Sequence, residues 1–288
     1  MSTLTNNNNK LKLGFSPCPN DTFIFDALIH HKIDTEGLDF EVSYEDVESL
    51  NNKAFGKEAD ITKLSFYAYA HAAENYVLLD AGSALGFGVG PLLICSDKKW
   101  ADIHAEFNLD TIVGIPGKYT TANFLLGIAF PQLVNKRIML FSDIERELLS
   151  GKIDLGLIIH ENRFTYQEKG LHKIIDLGDF WEKETSSPIP LGGIAIRRDL
   201  PDELKQKVNR LVRKSVEYAF ANPQSGLDFI RSHAQEMSEE VMYKHIELYV
   251  NRFSVDLGET GRRAINTLFD RAHALGLAPK TNKKLFLN

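Results

Sequence analysis

Apolar and polar residues follow one another in blocks whose period switches between that of a strand and that of a helix. The run LKLGF at 11–15 predicts a short apolar strand. Behind it Phe23, Ile24, Ala27 and Leu28 fall at helical spacing and predict a helix over 22–31, with Asn20 or Asp21 able to cap it. LDFEVSY at 38–44 alternates as a strand does, and 47–56 reads as a helix ended by Gly56. A strand over 61–64 leads into Ser65 and a helix over 66–74, and strands follow at 76–80 and, as the apolar PLLIC, at 91–95. A second set starts with a strand at 112–115, a Pro116-Gly117 turn and a helix over 120–129 opened by two threonines. It continues with a strand at 137–141, a helix over 143–150 capped by Ser142, and the buried strand LGLII, which ends at His160. A strand at 189–197 precedes helices over 202–221, 223–234, 238–251 and 258–275.

Strand alternating with helix predicts an α/β fold with mixed, mostly parallel sheets covered on both faces. Two such sets followed by helices predict two lobes with a cleft between them. The strands near 91–95 and 189–196 are where the chain would cross from one to the other. The expected division is a larger, discontinuous lobe from 11–96 and 191–288 and a smaller one from 97–190. Residues 1–10, MSTLTNNNNK, read as a disordered tail without the apolar segment of a secretory signal.

Composition narrows the function. The chain has 288 residues, 33 Lys plus Arg against 39 Asp plus Glu, and a formal charge of −6. Mild acidity argues against a nucleic-acid partner, which calls for a basic face. No apolar run reaches the roughly 18–20 residues of a membrane span. Cys18 and Cys95 are too few for a disulfide scaffold or a four-cysteine zinc site. A cytoplasmic setting is expected, and the oligomeric state is open.

In open α/β sheets ligands lie beyond the carboxyl ends of strands, often at helix starts, and the chain brings polar groups to such ends in several places. Ser16–Thr22 reads either as a helix start stiffened by two prolines or as a cluster of hydroxyl, amide and carboxylate groups, including Asp21, opening on the cleft. In TKLS, Ser65 reads as a helix cap; Lys63, set in an apolar strand, needs solvent or a partner. In GIPGKYTT a helix start with Thr120 and Thr121 is either a plain capped helix or an anion site built from backbone N–H groups and the helix dipole. GFGVG has the wrong spacing for a dinucleotide fingerprint, and neither a phosphate-binding G-x-x-x-x-G-K-[ST] nor a G-x-S-x-G elbow occurs. Among nine histidines His160 stands out, projecting where a buried strand becomes a loop, placed to act as a proton acceptor or as a hydrogen-bonded rim residue. The second histidine of H-E-x-x-H is replaced by Phe164, which disfavours zinc, and His245 reads as an ordinary histidine on a helical or polar face.

SPCPNDTFIFDAL, DITKLSFYAYA, GSALGFGVGPL, PGKYTTANFLL and GLIIHENRFTY, in that order, resemble the 1,4-dihydroxy-6-naphthoate synthase family of the futalosine-dependent route to menaquinone. The resemblance extends from about Leu11 to the C-terminus. It implies a fold similar to type II periplasmic binding proteins and a lyase that converts cyclic dehypoxanthinyl futalosine to 1,4-dihydroxy-6-naphthoate, releasing a three-carbon fragment. It also implies a small-molecule carboxylate substrate and no metal or organic cofactor. Carried across by motif, the proton acceptor falls on His160, and substrate-binding positions fall on Lys63, Leu64, Ser65, Thr120 and Thr121, with Asp21 in the first signature. The rival expectations are a non-catalytic solute-binding protein of the same fold, the pathway's related chorismate dehydratase, and a transcription-factor effector domain, for which no basic helix-turn-helix precedes the lobes.

Overall fold

Leu13 and Phe15 are almost wholly buried in β1 (Lys10–Phe15), the first strand of the computed structural model, which describes residues 10–101, 107–234 and 238–287. The expected tail therefore lies outside the described residues except for Lys10, which opens the strand. α1 (Pro19–Ile29) starts earlier than the apolar spacing predicts. Cys18 takes the N-cap position and Pro19 the first turn, where a missing N–H costs nothing, so neither Asn20 nor Asp21 is the cap. β2 (Asp39–Tyr44), α2 (Val47–Phe55), β3 (Ile61–Ser65), α3 (Phe66–Ala72) and β4 (Tyr76–Leu78) follow as the periodicity predicts, then a short β5 (Ala84–Gly86).

β6 (Leu92–Cys95) carries the chain into a second set: β7 (Val113–Ile115), α4 (Thr121–Ala129), β8 (Lys136–Ile138), α5 (Ile144–Leu149), β9 (Leu155–Ile158), α6 (Asn162–Thr165), β10 (His172–Asp176) and α7 (Leu177–Thr185). β11 (Ile189–Arg197) returns, and α8 (Asp202–Ala221), α9 (Leu227–His233), α10 (Glu239–Tyr249), α11 (Arg252–Val255) and α12 (Gly258–Ala274) follow, after which Phe286 bridges to Leu78 of β4. The first sheet has the order β2-β1-β3-β11-β4 with β5 also on β11; the second has the order β10-β6-β9-β7-β8. Strand 92–95, expected with the larger lobe, is thus a member of the second sheet.

Both sheets are mixed, for one reason. The pairs built from strand–helix–strand units (β1 with β2 and β3, β7 with β8 and β9) are parallel. Every antiparallel pair among the described residues involves β6 or β11. These two strands arrive from the other sheet rather than from a parallel partner in their own, so nothing requires them to run with their neighbours.

β5, β10 and α7 were not legible in the periodicity. α7 turns only Leu177, Gly178 and Trp181 inward, too short a stripe to read, and is set by Asp176, whose Oδ1 accepts from Gly178 N and Asp179 N. The long helices were legible: Val208, Leu211, Val212, Val216 and Ala219 of α8 pack with α1, and Ala264, Ile265, Leu268, Phe269 and Ala272 of α12 pack by α3 and β11. One apolar cluster joins Leu64 and Phe66 beside the first sheet to Leu93 and Val113 in the second, so the joint between the sheets is packed. Among the described residues no helix is long and apolar enough to cross a membrane.

At this joint the loop before β6 meets the start of α7 backbone to backbone: a Cβ on Gly90 would stand 2.1 Å from Gly178 N. Gly90→Ala is expected to cost at least about 1–3 kcal/mol by overpacking, read as a lower urea midpoint with an unchanged m-value. A midpoint equal to that of the natural chain would show that the two backbones part freely.

Candidate functional site

The floor of the site is a buried ion pair. Lys63, on the fully buried β3, gives its Nζ to Asp21 Oδ1 at 2.8 Å and to Gly82 O at 3.2 Å. Asp21 is saturated: Oδ1 also accepts from Asn20 Nδ2 at 2.8 Å, and Oδ2 accepts from Ser16 N at 3.2 Å and Ser16 Oγ at 2.8 Å. Ser16, Asn20 and Asp21 of that segment therefore help to hold one lysine inside the protein, whereas the Thr22 hydroxyl donates to the Cys18 and Pro19 carbonyls. Asp21 stands behind Lys63 rather than on the cavity surface, whereas Lys63 reaches that surface.

Above the floor lies a cavity of about 90 Å³. Lys63, Leu64 and Ser65 form one wall, Thr120, Thr121 and Ala122 another, and His160 faces them, with Val89, Leu191 and Tyr249 supplying apolar surface. The structure thus gathers the TKLS, KYTTA and LIIHE motifs around one space.

The threonines do less than their hydroxyls promise. Thr120 caps α4, accepting from Asn123 N at 3.2 Å and donating to Gly117 O at 3.0 Å. Thr121 Oγ1 donates to Leu191 O at 2.8 Å and accepts from Tyr67 N at 3.3 Å, tying α4 to β11 and α3. What the helix start leaves open is backbone: the N–H groups of Thr121 and Ala122 have no acceptor among the described residues, as the first N–H groups of a helix have none within it. Ser65 occupies the N-cap position of α3 without making the side-chain cap bond, and its backbone N–H donates to Asn51 Oδ1 at 3.0 Å. Asn51, fully buried, was missed from sequence, where it reads as one more polar residue of α2.

His160 sits just beyond β9 with φ of 59°, in the left-handed region that a residue bearing a Cβ enters at a cost of about 1–2 kcal/mol. Its ring is placed by packing, 4.8 Å from the Phe141 ring and 6.0 Å from that of His245, nearly parallel to the latter. Burial lowers its pKa from the ordinary 6.5 to about 4, against a smaller upward pull from Asp21. His245 is not an ordinary helical-face histidine: it is fully buried beneath His160, and burial, reinforced by His160 and Lys63, holds its pKa well below the usual value. Its Nε2 is 2.8 Å from Asn20 Oδ1, and since Asn20 Nδ2 is given to Asp21, Nε2 carries the proton. Nδ1 then faces Glu161 Oε2 at 3.7 Å. Arg163 is structural, donating to Gly90 O and to Asp176 Oδ2.

Cys18, His160 and Glu161 bring one ligand atom each within 4.8 Å of one another, a spacing that could hold a metal ion. Burial and the Glu161 charge push the Cys18 thiol well up, so an ion there would have to displace a proton that the surroundings retain.

Two mixed sheets meeting at such a cavity define a periplasmic-binding-protein-like fold. A Candida albicans protein, described as having the generic periplasmic binding protein fold, matches with a TM-score of 0.68 at 15% identity over 97% of each chain. The crystal structure of protein AF1704 from Archaeoglobus fulgidus matches with a TM-score of 0.86 at 34% identity over 94% of this chain and 100% of its own. The model of the menaquinone biosynthesis family matches residues 11–274, and the chain belongs to that family. Curated relatives named 1,4-dihydroxy-6-naphthoate synthase occur in Thermus thermophilus, 45% identical over 96% of this chain and 99% of the relative. Another, in Streptomyces coelicolor, is 40% identical over 93% and 95%.

The depressed histidine gives a pH dependence of stability. An unfolded His160 takes up its proton near pH 6.5 and the folded one only near 4, so the unfolded state binds more protons between them. Stability is expected to fall as pH drops through that window, and His160→Gln should flatten the fall in denaturant titrations across the range. An unaltered slope would show that His160 contributes nothing to it. Thr120→Val should cost about 1 kcal/mol at neutral pH through loss of the α4 cap, measured as a lower unfolding free energy.

Proposed function

We propose that the protein is a 1,4-dihydroxy-6-naphthoate synthase, a lyase acting on cyclic dehypoxanthinyl futalosine in menaquinone biosynthesis. The observation that carries this reading is the meeting of an uncharged imidazole with two open helix-start N–H groups in one cavity. The relatives of the same name support the product, and the substrate is the one that the family resemblance implies. The N–H groups of Thr121 and Ala122, at the positive end of α4, hold the ring carboxylate, with Lys63 and Ser65 alongside. His160 takes the proton of a hydroxyl on the sugar-derived ring. That oxygen becomes a carbonyl as the adjacent carbon–carbon bond breaks, the electron pair passes into the neighbouring conjugated system, and aromatisation draws the step forward as the three-carbon fragment leaves. A base of depressed pKa is available across the neutral range without competition from bulk protons. The reaction is assigned to the cytoplasm, in keeping with two buried cysteines that are both free.

The related dehydratase is less well supported, because both curated relatives carry the synthase name at 45% and 40% identity. A non-catalytic solute-binding protein rests on fold likeness alone. Purified protein offered cyclic dehypoxanthinyl futalosine and, separately, chorismate should release dihydroxynaphthoate from the first and leave the second unchanged. His160→Ala should lower kcat by about 10²–10⁴-fold with the fold retained. The acid limb of kcat/KM should lie well below the ordinary histidine value, towards pH 4. Turnover of chorismate, or near-normal kcat in His160→Ala, would reject the assignment.

A further inference from the structure

The start of α4 is gripped from outside the cavity by a residue of the first sheet's layer. Glu48, in the first turn of α2, accepts through Oε1 from Lys118 N at 2.8 Å and from Tyr119 N at 3.3 Å, and through Oε2 from Tyr119 N at 3.2 Å. Its Oε2 also accepts from Asn51 Nδ2 at 3.3 Å, and Asn51 in turn holds the backbone of Ser65. One carboxylate therefore spans the walls of the cavity, reaching the TKLS wall through Asn51 and the KYTT wall directly. The turn is shaped for it: a Cβ on Gly117 would lie 2.4 Å from Glu48 Oε2 and 2.7 Å from Glu48 Cβ, so only glycine lets the turn lie this close to α2. Beside this contact the Tyr119 ring packs on Phe55 of α2 at 4.8 Å and on His71 of α3 at 5.2 Å.

We propose that Glu48 is a positioning residue, a latch across the cleft that holds the β7–α4 turn so that the Thr121 and Ala122 N–H groups face the bound carboxylate. This rests on the reading that those groups bind the substrate carboxylate. The protein's own anion fills the N–H groups of the turn at 118 and 119, and the ligand's fills the pair that follows at 121 and 122. Glu48 touches no reacting atom, so its loss lowers the population of the binding-competent form and leaves the chemistry of a bound complex intact.

The test is binding of 1,4-dihydroxy-6-naphthoate together with steady-state kinetics in the full chain. Glu48→Ala should weaken product binding and raise KM by about tenfold, the scale of a lost charge-assisted hydrogen bond, while kcat stays within about threefold. Glu48→Gln, which keeps one acceptor oxygen, should recover part of the loss. Gly117→Ala, whose methyl group would meet both the carboxylate and the Cβ of Glu48, should part the turn from α2 and raise KM at least as much as Glu48→Ala. A Glu48→Ala or Gly117→Ala protein with natural KM, or a fall in kcat without a rise in KM, would overturn the latch while leaving the functional reading in place. A natural chain that fails to bind the product would overturn both.

Discussion

The buried pair of Lys63 and Asp21 is the constraint on which the site is assembled. An ammonium and a carboxylate withdrawn from water cost several kcal/mol each unless every remaining hydrogen-bonding position is met. Here Ser16 and Asn20 complete the Asp21 carboxylate, and the Gly82 carbonyl takes a second of the three Lys63 N–H groups. Satisfying the pair fixes the turn after β1 against β3. Through Asn20 it also fixes His245 on α10, which supports the ring of His160 from below. Chain segments far apart in sequence are held in register by one polar network under the cavity floor.

Burial above that network holds both histidines neutral. At His160 the upward pull of Asp21 outweighs the push of Lys63 but offsets only part of the burial, and at His245 His160 and Lys63 add to it. A neutral imidazole facing open N–H groups suits an acidic substrate that must lose a proton. In the mechanism proposed, the backbone N–H groups with Lys63 would meet the carboxylate and the histidine would accept the proton. The left-handed backbone at His160 is the local cost of aiming the ring at this point.

The two crossing strands explain why the cavity lies where it does. β6 and β11 run against their neighbours and connect the sheets, and Leu191 and Gly192 of β11 line the space they leave. Gly192 and Gly193 are packed tightly at this place: a Cβ on Gly192 would stand 2.8 Å from Leu64 O, and one on Gly193 2.9 Å from the Phe66 ring. Glycine there lets the returning strand lie against the TKLS wall.

Much of this was legible in one dimension. The period of apolar residues located β1, β2, β3, α4, β9, β11 and the long C-terminal helices, because burial of one face imposes a repeat that composition carries directly. The motifs that line the cavity could be named for the same reason, since strand ends and helix starts are where an α/β sheet exposes polar groups. Tertiary structure alone decided what each group does there. It showed Asp21 turned away from the cavity to hold Lys63, and the hydroxyls of Thr120 and Thr121 consumed by caps and ties. It also made His245 and Asn51 part of the site, and moved strand 92–95 into the second sheet. These outcomes depend on which hydrogen-bond partner stands within about 3 Å, and that is set by the packing of distant segments rather than by any local pattern.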